Sequence, residues 1–225
     1  MDTPSADEES YRLLNDNLRT DYGECPFVVD AAFQSSVTVE HFSGGDDATY
    51  VFVSRGLAWS DSSRAAKPTI RFAPFVAGTD IIYDVTEATL QGKARPFECD
   101  LRQHSRKIYA LMPFQVEVIQ VSYRIVRDDR HALISFHDAR GERIRAVSPF
   151  EFQTDFDPGK TCVINYGVPK RLRATGRDGV YTEVLRGPQM TPGTQTFLVR
   201  SLLTGNQQKA AFSAWSTVVP VVPSE

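Results

Sequence analysis

The chain has 225 residues, 41% of them apolar and 24% charged, with a formal net charge of −3. That length accommodates two domains of roughly 100 residues, each able to bury a core. So small a net charge gives no long-range field toward nucleic acid or anionic lipid, and no apolar run approaches the ~20 residues that span a bilayer.

The segment Met1 to Ser10 is acidic and polar, lacks a signal-peptide pattern, and reads as a boundary cut into a longer protein. Ser5 followed by Glu8 forms a capping-box pattern, and Tyr11, Leu14 and Leu18 then share one helical face. A short helix is expected over residues 5–19, ending near Asp21–Gly23 ahead of Pro26. Isolated helices below ~12–15 residues are marginal in water, so its apolar stripe is expected to dock on the β domain that follows, the favoured reading, or on a domain upstream of this chain.

From residue 27 onward the pattern is strand-like. Val37 and Val39 alternate with polar neighbours, and Gly44-Gly45-Asp46-Asp47 predicts a hairpin into Thr49–Ser54. Tyr50 to Val53 is apolar on both faces, as in a central strand. Gly56 to Lys67 reads as a polar connection. Ile70 and Phe72, then Ile81, Tyr83 and Val85, then Phe97, Cys99 and Leu101 form further alternations, and Ile108 to Met112 closes the set.

Pro113 marks a boundary. Beyond it Val116 and Val118 keep one phase and Val121, Tyr123 and Ile125 the other, which predicts a β-bulge. Ala132, Ile134 and Phe136 alternate cleanly, as do Phe150, Phe152 and Phe156. Turn signals separate the later runs: Asp157-Pro158-Gly159, Arg177-Asp178-Gly179, Pro192-Gly193 and Thr204-Gly205. The expected architecture is all-β: residues 1–26 as helix and linker, 27–113 as a first β-sandwich, and 114–225 as a second, immunoglobulin-like β-sandwich.

The three cysteines are Cys25, Cys99 and Cys162. They read either as small buried apolar residues or as one disulfide plus a free thiol. If a bridge forms, Cys25 and Cys99 are its expected partners, because they share the first domain while Cys162 lies in the second. No Cys-x-x-Cys spacing is present, and His41, His104, His131 and His137 lack the spacing of a helical metal pair, so no metal or cofactor is expected. His137-Asp138, at a strand end before a turn, reads as a surface imidazole. No Gly-x-Ser-x-Gly elbow or phosphate-binding loop occurs.

Glycoside hydrolysis needs two carboxylates held rigidly about 5–10 Å apart. Asp46, Asp47, Asp80, Glu98 and Asp100 fall in turns or on the polar phase of strands and read as solvated. Two adjacent aspartates at 46–47 make a poor calcium chelate without further oxygen ligands. Asp84, between Tyr83 and Val85, is the exception and is expected to hydrogen-bond locally. Lys170, Arg171, Arg173 and Arg177 read as an exposed strand face rather than a nucleic-acid surface, having no interleaved aromatics. Trp59 and Trp215 are the candidate sugar-stacking residues. Trp59 is favoured because it sits in the polar connection, although Trp more often covers the edge of its own core.

Two stretches resemble known modules. Ala48-Thr49-Tyr50-Val51-Phe52-Val53-Ser54, Tyr83-Asp84-Val85 and Ile108-Tyr109-Ala110-Leu111-Met112-Pro113, with Pro26-Phe27-Val28-Val29-Asp30 before them, resemble the C-terminal β-sandwich that follows the catalytic domain in many glycoside hydrolases. The likeness covers roughly residues 10–113, and it implies a tail without catalytic carboxylates. Asp138-Ala139-Arg140-Gly141, Pro192-Gly193-Thr194, Phe197-Leu198-Val199 and Leu203-Thr204-Gly205 resemble immunoglobulin-like or macroglobulin-like modules of extracytoplasmic proteins. Those modules often carry Trp after the Pro-Gly turn, where this chain has Phe197, and no thioester motif accompanies the likeness. The resemblance implies a non-catalytic accessory module of a larger secreted, glycoside-hydrolase-related protein. Its partners would be the parent's other domains. The rival readings are a carbohydrate-binding module using Trp59 and an enzyme with an unrecognised carboxylate site.

Overall fold

The computed structural model describes residues 13–14, 18–20, 25–29, 36–45, 48–56, 69–72, 80–126, 129–157, 171–185 and 194–213. Every extended element among them is an antiparallel β-strand. The chain divides into two compact units, one of Met1–Gln115 with Leu202–Thr204 and the other of Val116–Ser201 with Gly205–Glu225.

The first unit holds nine strands: β1 (Arg19–Thr20), β2 (Phe27–Val29), β3 (Val37–Gly45), β4 (Ala48–Arg55), β5 (Thr69–Phe72), β6 (Ile81–Asp84), β7 (Thr89–Lys93), β8 (Phe97–Glu98) and β9 (Arg106–Met112). Six form one sheet in the order β1-β3-β4-β9-β6-β7, and β2-β5-β8 form another. The predicted hairpin is β3–β4, with Val39 opposite Val53 and His41 opposite Val51. β4 is central, and Tyr50, Val51, Phe52 and Val53 are all buried, so both of its faces are covered. Val51, Val53, Ile82, Tyr109 and Leu111 of the six-stranded sheet join Phe27 and Val29 of the smaller sheet, with Cys99 and Leu101 just beyond it, in one apolar cluster. The Phe97 and Tyr109 rings lie 4.8 Å apart within it. Arg55 ties β4 to the turn between β8 and β9, its Nε donating to the Leu101 carbonyl at 2.9 Å and Nη2 to the Arg102 carbonyl at 2.9 Å.

Most of the helix expected over residues 5–19 lies outside the described residues. Within them, the Leu18 N–H donates to the Leu14 carbonyl at 2.8 Å, and both side chains are buried within this chain. Arg19 and Thr20 correct the expected end of that helix. They are strand, opposite Ser43 and Phe42, because the free edge of β3 offers backbone partners that a helix end lacks.

The second unit holds β10 (Val118–Val126), β11 (Asp129–His137), β12 (Pro149–Asp157), β13 (Arg171–Ala174), β14 (Val180–Leu185), β15 (Thr194–Ser201) and β16 (Gln207–Ser213). The sheets are β10-β11-β14 and β13-β12-β15-β16. They meet through rings: Phe136 of β11 lies 5.8 Å from Phe150 of β12, and Tyr181 of β14 lies 5.4 Å from Phe150. Phe152 and Phe197 stack at 5.9 Å on neighbouring strands. The predicted turn at Arg177–Gly179 connects β13 and β14. Gly179 has φ +76°, and a Cβ there would run into the Ile144 carbonyl, so only glycine fits.

The expected bulge in β10 is absent, since its register with β11 runs unbroken from Val118 to Val126. Val116 precedes the strand, Ile119, Val121 and Tyr123 are buried, and Val118 simply points outward at 49% exposure. The phase switch was the strand's start, not a defect within it. The register shifts that do occur lie between Ser43 and Gly45 and between Ile82 and Tyr83.

Candidate functional site

Among the described residues of the first unit, an ionisable cluster lies where β6 turns into β7 beside β9. Asp84 ends β6, and its Oδ1 accepts the Glu87 N–H at 3.0 Å, closing the turn Val85–Ala88. Ala88 takes a left-handed φ of 53° to complete it. The turn is fastened to β9 by two further bonds: Val85 N–H to the Ile108 carbonyl at 2.9 Å, and Ile108 N–H to Thr86 Oγ1 at 2.9 Å.

Lys107 of β9 sits opposite Val53, on the strand face it shares with Tyr109 and Leu111. Its Nζ donates to Asp84 Oδ2 at 2.9 Å and to Glu87 Oε1 at 2.9 Å. The Lys107 and Asp84 side chains are 8% and 5% exposed, whereas Glu87 is 44% exposed. His104 Nε2 reaches the same Glu87 oxygen at 3.1 Å from the solvent side. The cluster therefore runs from a dry end, Asp84–Lys107, to a wet end, Glu87–His104.

Burial alone would lower the Lys107 value, but the hydrogen bonds to Glu87 and Asp84 outweigh it and hold the ammonium above its ordinary range. The hydrogen bond from Lys107 is the main cause that depresses Glu87, with the charges of Lys107 and His104 adding to it. A lysine kept charged has no free lone pair, so it is not an imine-forming nucleophile. Both carboxylates spend an oxygen on the Lys107 nitrogen.

Beside this cluster Tyr109 Oη donates to Cys99 Sγ at 3.4 Å. Cys25 packs against the same apolar core, and both cysteines are free thiols. The bridge expected as one option between them is thus not formed here. Burial pushes the Cys99 thiol up to about 11 and raises Cys25 also, which suppresses the thiolate that oxidation requires. Burial likewise lifts the Tyr109 phenol far above its ordinary value. Trp59, Trp215, Cys162 and the Asp46-Asp47 pair lie outside the described residues.

Polar constellations lie on both sheets of the second unit. Arg173 Nε donates to Tyr181 Oη at 2.7 Å, and Tyr181 Oη donates to Glu183 Oε2. Arg171 Nη1 lies 3.9 Å from Glu183 Oε1. Half of the basic run read as an exposed strand face is thereby tied across to β14. Burial, with the Glu183 hydrogen bond next, pushes the Tyr181 phenol up to about 12. On β11, Ser135 Oγ lies 2.9 Å from His137 Nε2, while His137 Nδ1 lies 3.0 Å from the Gly141 carbonyl oxygen. His137, expected as a plain surface imidazole, is half-buried and engaged at both nitrogens. His131, on the same strand face, keeps a buried Nδ1 with no hydrogen-bond partner, a cost of about 1–3 kcal/mol. A shallow surface dent is lined by Glu151, Phe152, Gln153, Leu198, Arg200 and Gln207, and Arg200 Nη1 lies 3.4 Å from Glu151 Oε2. Among the described residues no three His, Cys, Asp or Glu side chains converge as a metal site, and no helix is long and apolar enough to cross a membrane.

No protein-family model and no curated protein matches the chain. A solved structure described as a "putative beta-galactosidase from Bacteroides fragilis" is similar to it at 12% identity, with a TM-score of 0.24. The match covers 76% of this chain and 33% of that one, so this chain spans about a third of that protein's length. At that TM-score the likeness carries no argument about function.

Proposed function

We propose that the chain is a non-catalytic accessory module, two tandem immunoglobulin-like β-sandwiches, of a larger extracytoplasmic protein related to glycoside hydrolases. The observation that supports this reading best is the use made of Asp84 and Glu87. Both carboxylates are bound to a lysine that stays charged, and the trio fastens a hairpin turn to the neighbouring strand. That is the work of architecture, with the reactive groups already consumed. Two antiparallel sheets sharing one apolar cluster in the first unit, and two sheets meeting through aromatic rings in the second, support the sandwich assignment.

The link to glycoside hydrolases and to an extracytoplasmic setting rests on the sequence resemblance carried by Ala48–Ser54, Tyr83–Val85 and Ile108–Pro113. Free thiols are uncommon in oxidising compartments, but two thiols whose ionisation is suppressed by burial are compatible with one. The deciding experiment is turnover of the isolated chain on a panel of aryl glycosides, where none is expected. Activity that vanishes on changing one Asp or Glu to Ala would establish a carboxylate enzyme instead. Retention on a polysaccharide affinity gel, lost in Trp59→Ala, would move the assignment to a carbohydrate-binding module.

A further inference from the structure

We propose that Ser135 is an acyl-accepting hydroxyl, activated by His137 as general base and open to covalent modification by an activated ester or thioester. This goes beyond the accessory role, because it assigns a stoichiometric modification site on the second unit.

The argument starts from the Gly141 carbonyl. A carbonyl oxygen only accepts, so the 3.0 Å contact from His137 Nδ1 requires the hydrogen to sit on Nδ1. In the neutral imidazole Nε2 is then a bare lone pair, and the Ser135 hydroxyl at 2.9 Å donates to it. A hydroxyl donating to an imidazole whose far nitrogen is held by a third group is the relation that nucleophilic acyl transfer uses. Here the third group is a main-chain oxygen.

The orienting carbonyl is itself held. Asp138 Oδ1 accepts the N–H groups of Arg140 and Glu142, each at 2.9 Å, and the Gly141 N–H donates to the Asp138 carbonyl at 3.0 Å. Gly141 takes a left-handed φ of +78° within this turn. Strand spacing does the rest, since residues two apart on β11 share a face. The opposite face, Ala132, Ile134 and Phe136, is fully buried, which fixes the rotation of the strand. Ser135 and His137 are half-buried, and Gln120, opposite Ser135 on β10, is exposed, so reagent can approach.

In the step proposed, Ser135 Oγ bonds to the acyl carbon as its proton passes to His137 Nε2. The bond from the acyl carbon to the leaving oxygen or sulfur then breaks. The proton moves from Nε2 to the departing alcohol or thiol, leaving His137 neutral and Ser135 as an ester.

The test is site-resolved acetylation of the full chain by p-nitrophenyl acetate, read by peptide mass spectrometry. Ser122, an exposed serine on the same sheet face, serves as the internal reference. Ser135 is expected to acetylate at least tenfold faster than Ser122, and Asp138→Ala, which loosens the turn, to give an intermediate rate. His137→Gly should bring Ser135 to the Ser122 rate. Added imidazole should restore its labelling by a fluorophosphonate, which a folding defect would not allow. A Ser135 rate no faster than that of Ser122, a rate unchanged in His137→Gly, or no rescue by imidazole would each overturn the proposal.

Discussion

The first unit places a charge among its core residues, whereas the second fills the space between its sheets with rings. Lys107 shares a strand face with Tyr109 and Leu111 and is neutralised by Asp84 and Glu87. In the second unit Phe136, Phe150, Phe152 and Tyr181 make the contact across the sheets, and the ions stand at the margin, where Arg171 and Arg173 meet Glu183. The lesson concerns fault tolerance. Apolar packing loses stability in proportion to the atoms removed, but a buried ion pair fails disproportionately when one member goes, because the other is stranded.

The sharpest break is expected from Phe152→Ala, which removes a fully buried ring in contact with Phe150, Tyr181 and Phe197. It should cost about 4 kcal/mol, seen in chemical denaturation as early unfolding of the second unit alone. Lys107→Ala should cost the first unit about 3 kcal/mol, because Asp84 is left charged and dry while Glu87 can turn to water. Replacing both members, as Asp84→Leu with Lys107→Met, should recover most of that loss. A double variant as unstable as the single one would show that the trio holds the turn by more than charge balance.

The smallest effect separates the units by pH. Glu87 titrates below its ordinary value of 4.5 in the folded chain, so its contribution is present above that value and fades as pH falls through the depressed one. Lys107 titrates above 10.5, so its contribution is complete below that value and is lost as pH rises through the raised one. The half-buried Tyr181 phenol gives the second unit an alkaline limb as well, toward about 12. Only the acid limb is therefore specific to the cluster. Glu87→Gln should cost under about 1 kcal/mol at neutral pH, given that residue's exposure, and should flatten the acid loss of hydrogen-exchange protection in β9 while leaving β12 unchanged.

Much of the strand layout was legible because burial follows a period of two. β4 read as central from four consecutive apolar residues, and Phe150 and Phe152 read as inward-facing from their alternation with Glu151 and Gln153. β7 was missed: Thr89–Lys93 is polar throughout save Leu90, since an edge strand exposed along its length carries no apolar signal. Asp84 was singled out correctly as a local hydrogen-bonder, but its lysine was not foreseen. The available clue was phase, for Lys107 falls in step with Tyr109 and Leu111 and so had to point inward. Ser135 and His137 could likewise have been paired from their spacing opposite the buried Ala132, Ile134 and Phe136. What no spacing supplies is the long-range register that sets β9 beside β6.

The register shift between Ile82 and Tyr83 has a bearing on how readily a further strand could add to this sheet's edge. β7 is the last strand of the six, and four of its five residues are exposed, Leu90 to 40%. Such a rim is a template on which a foreign strand could polymerise. Gly92, at φ +98°, lies across from the irregularity, and the exposed Lys93 follows it. A strand arriving from a neighbouring molecule meets a ladder whose spacing is broken by one residue, ending in an ammonium it would have to dehydrate. Removing one residue of Gln91–Gly92, where β7 carries one residue more than β6, should even out that rim and raise the chain's rate of aggregation.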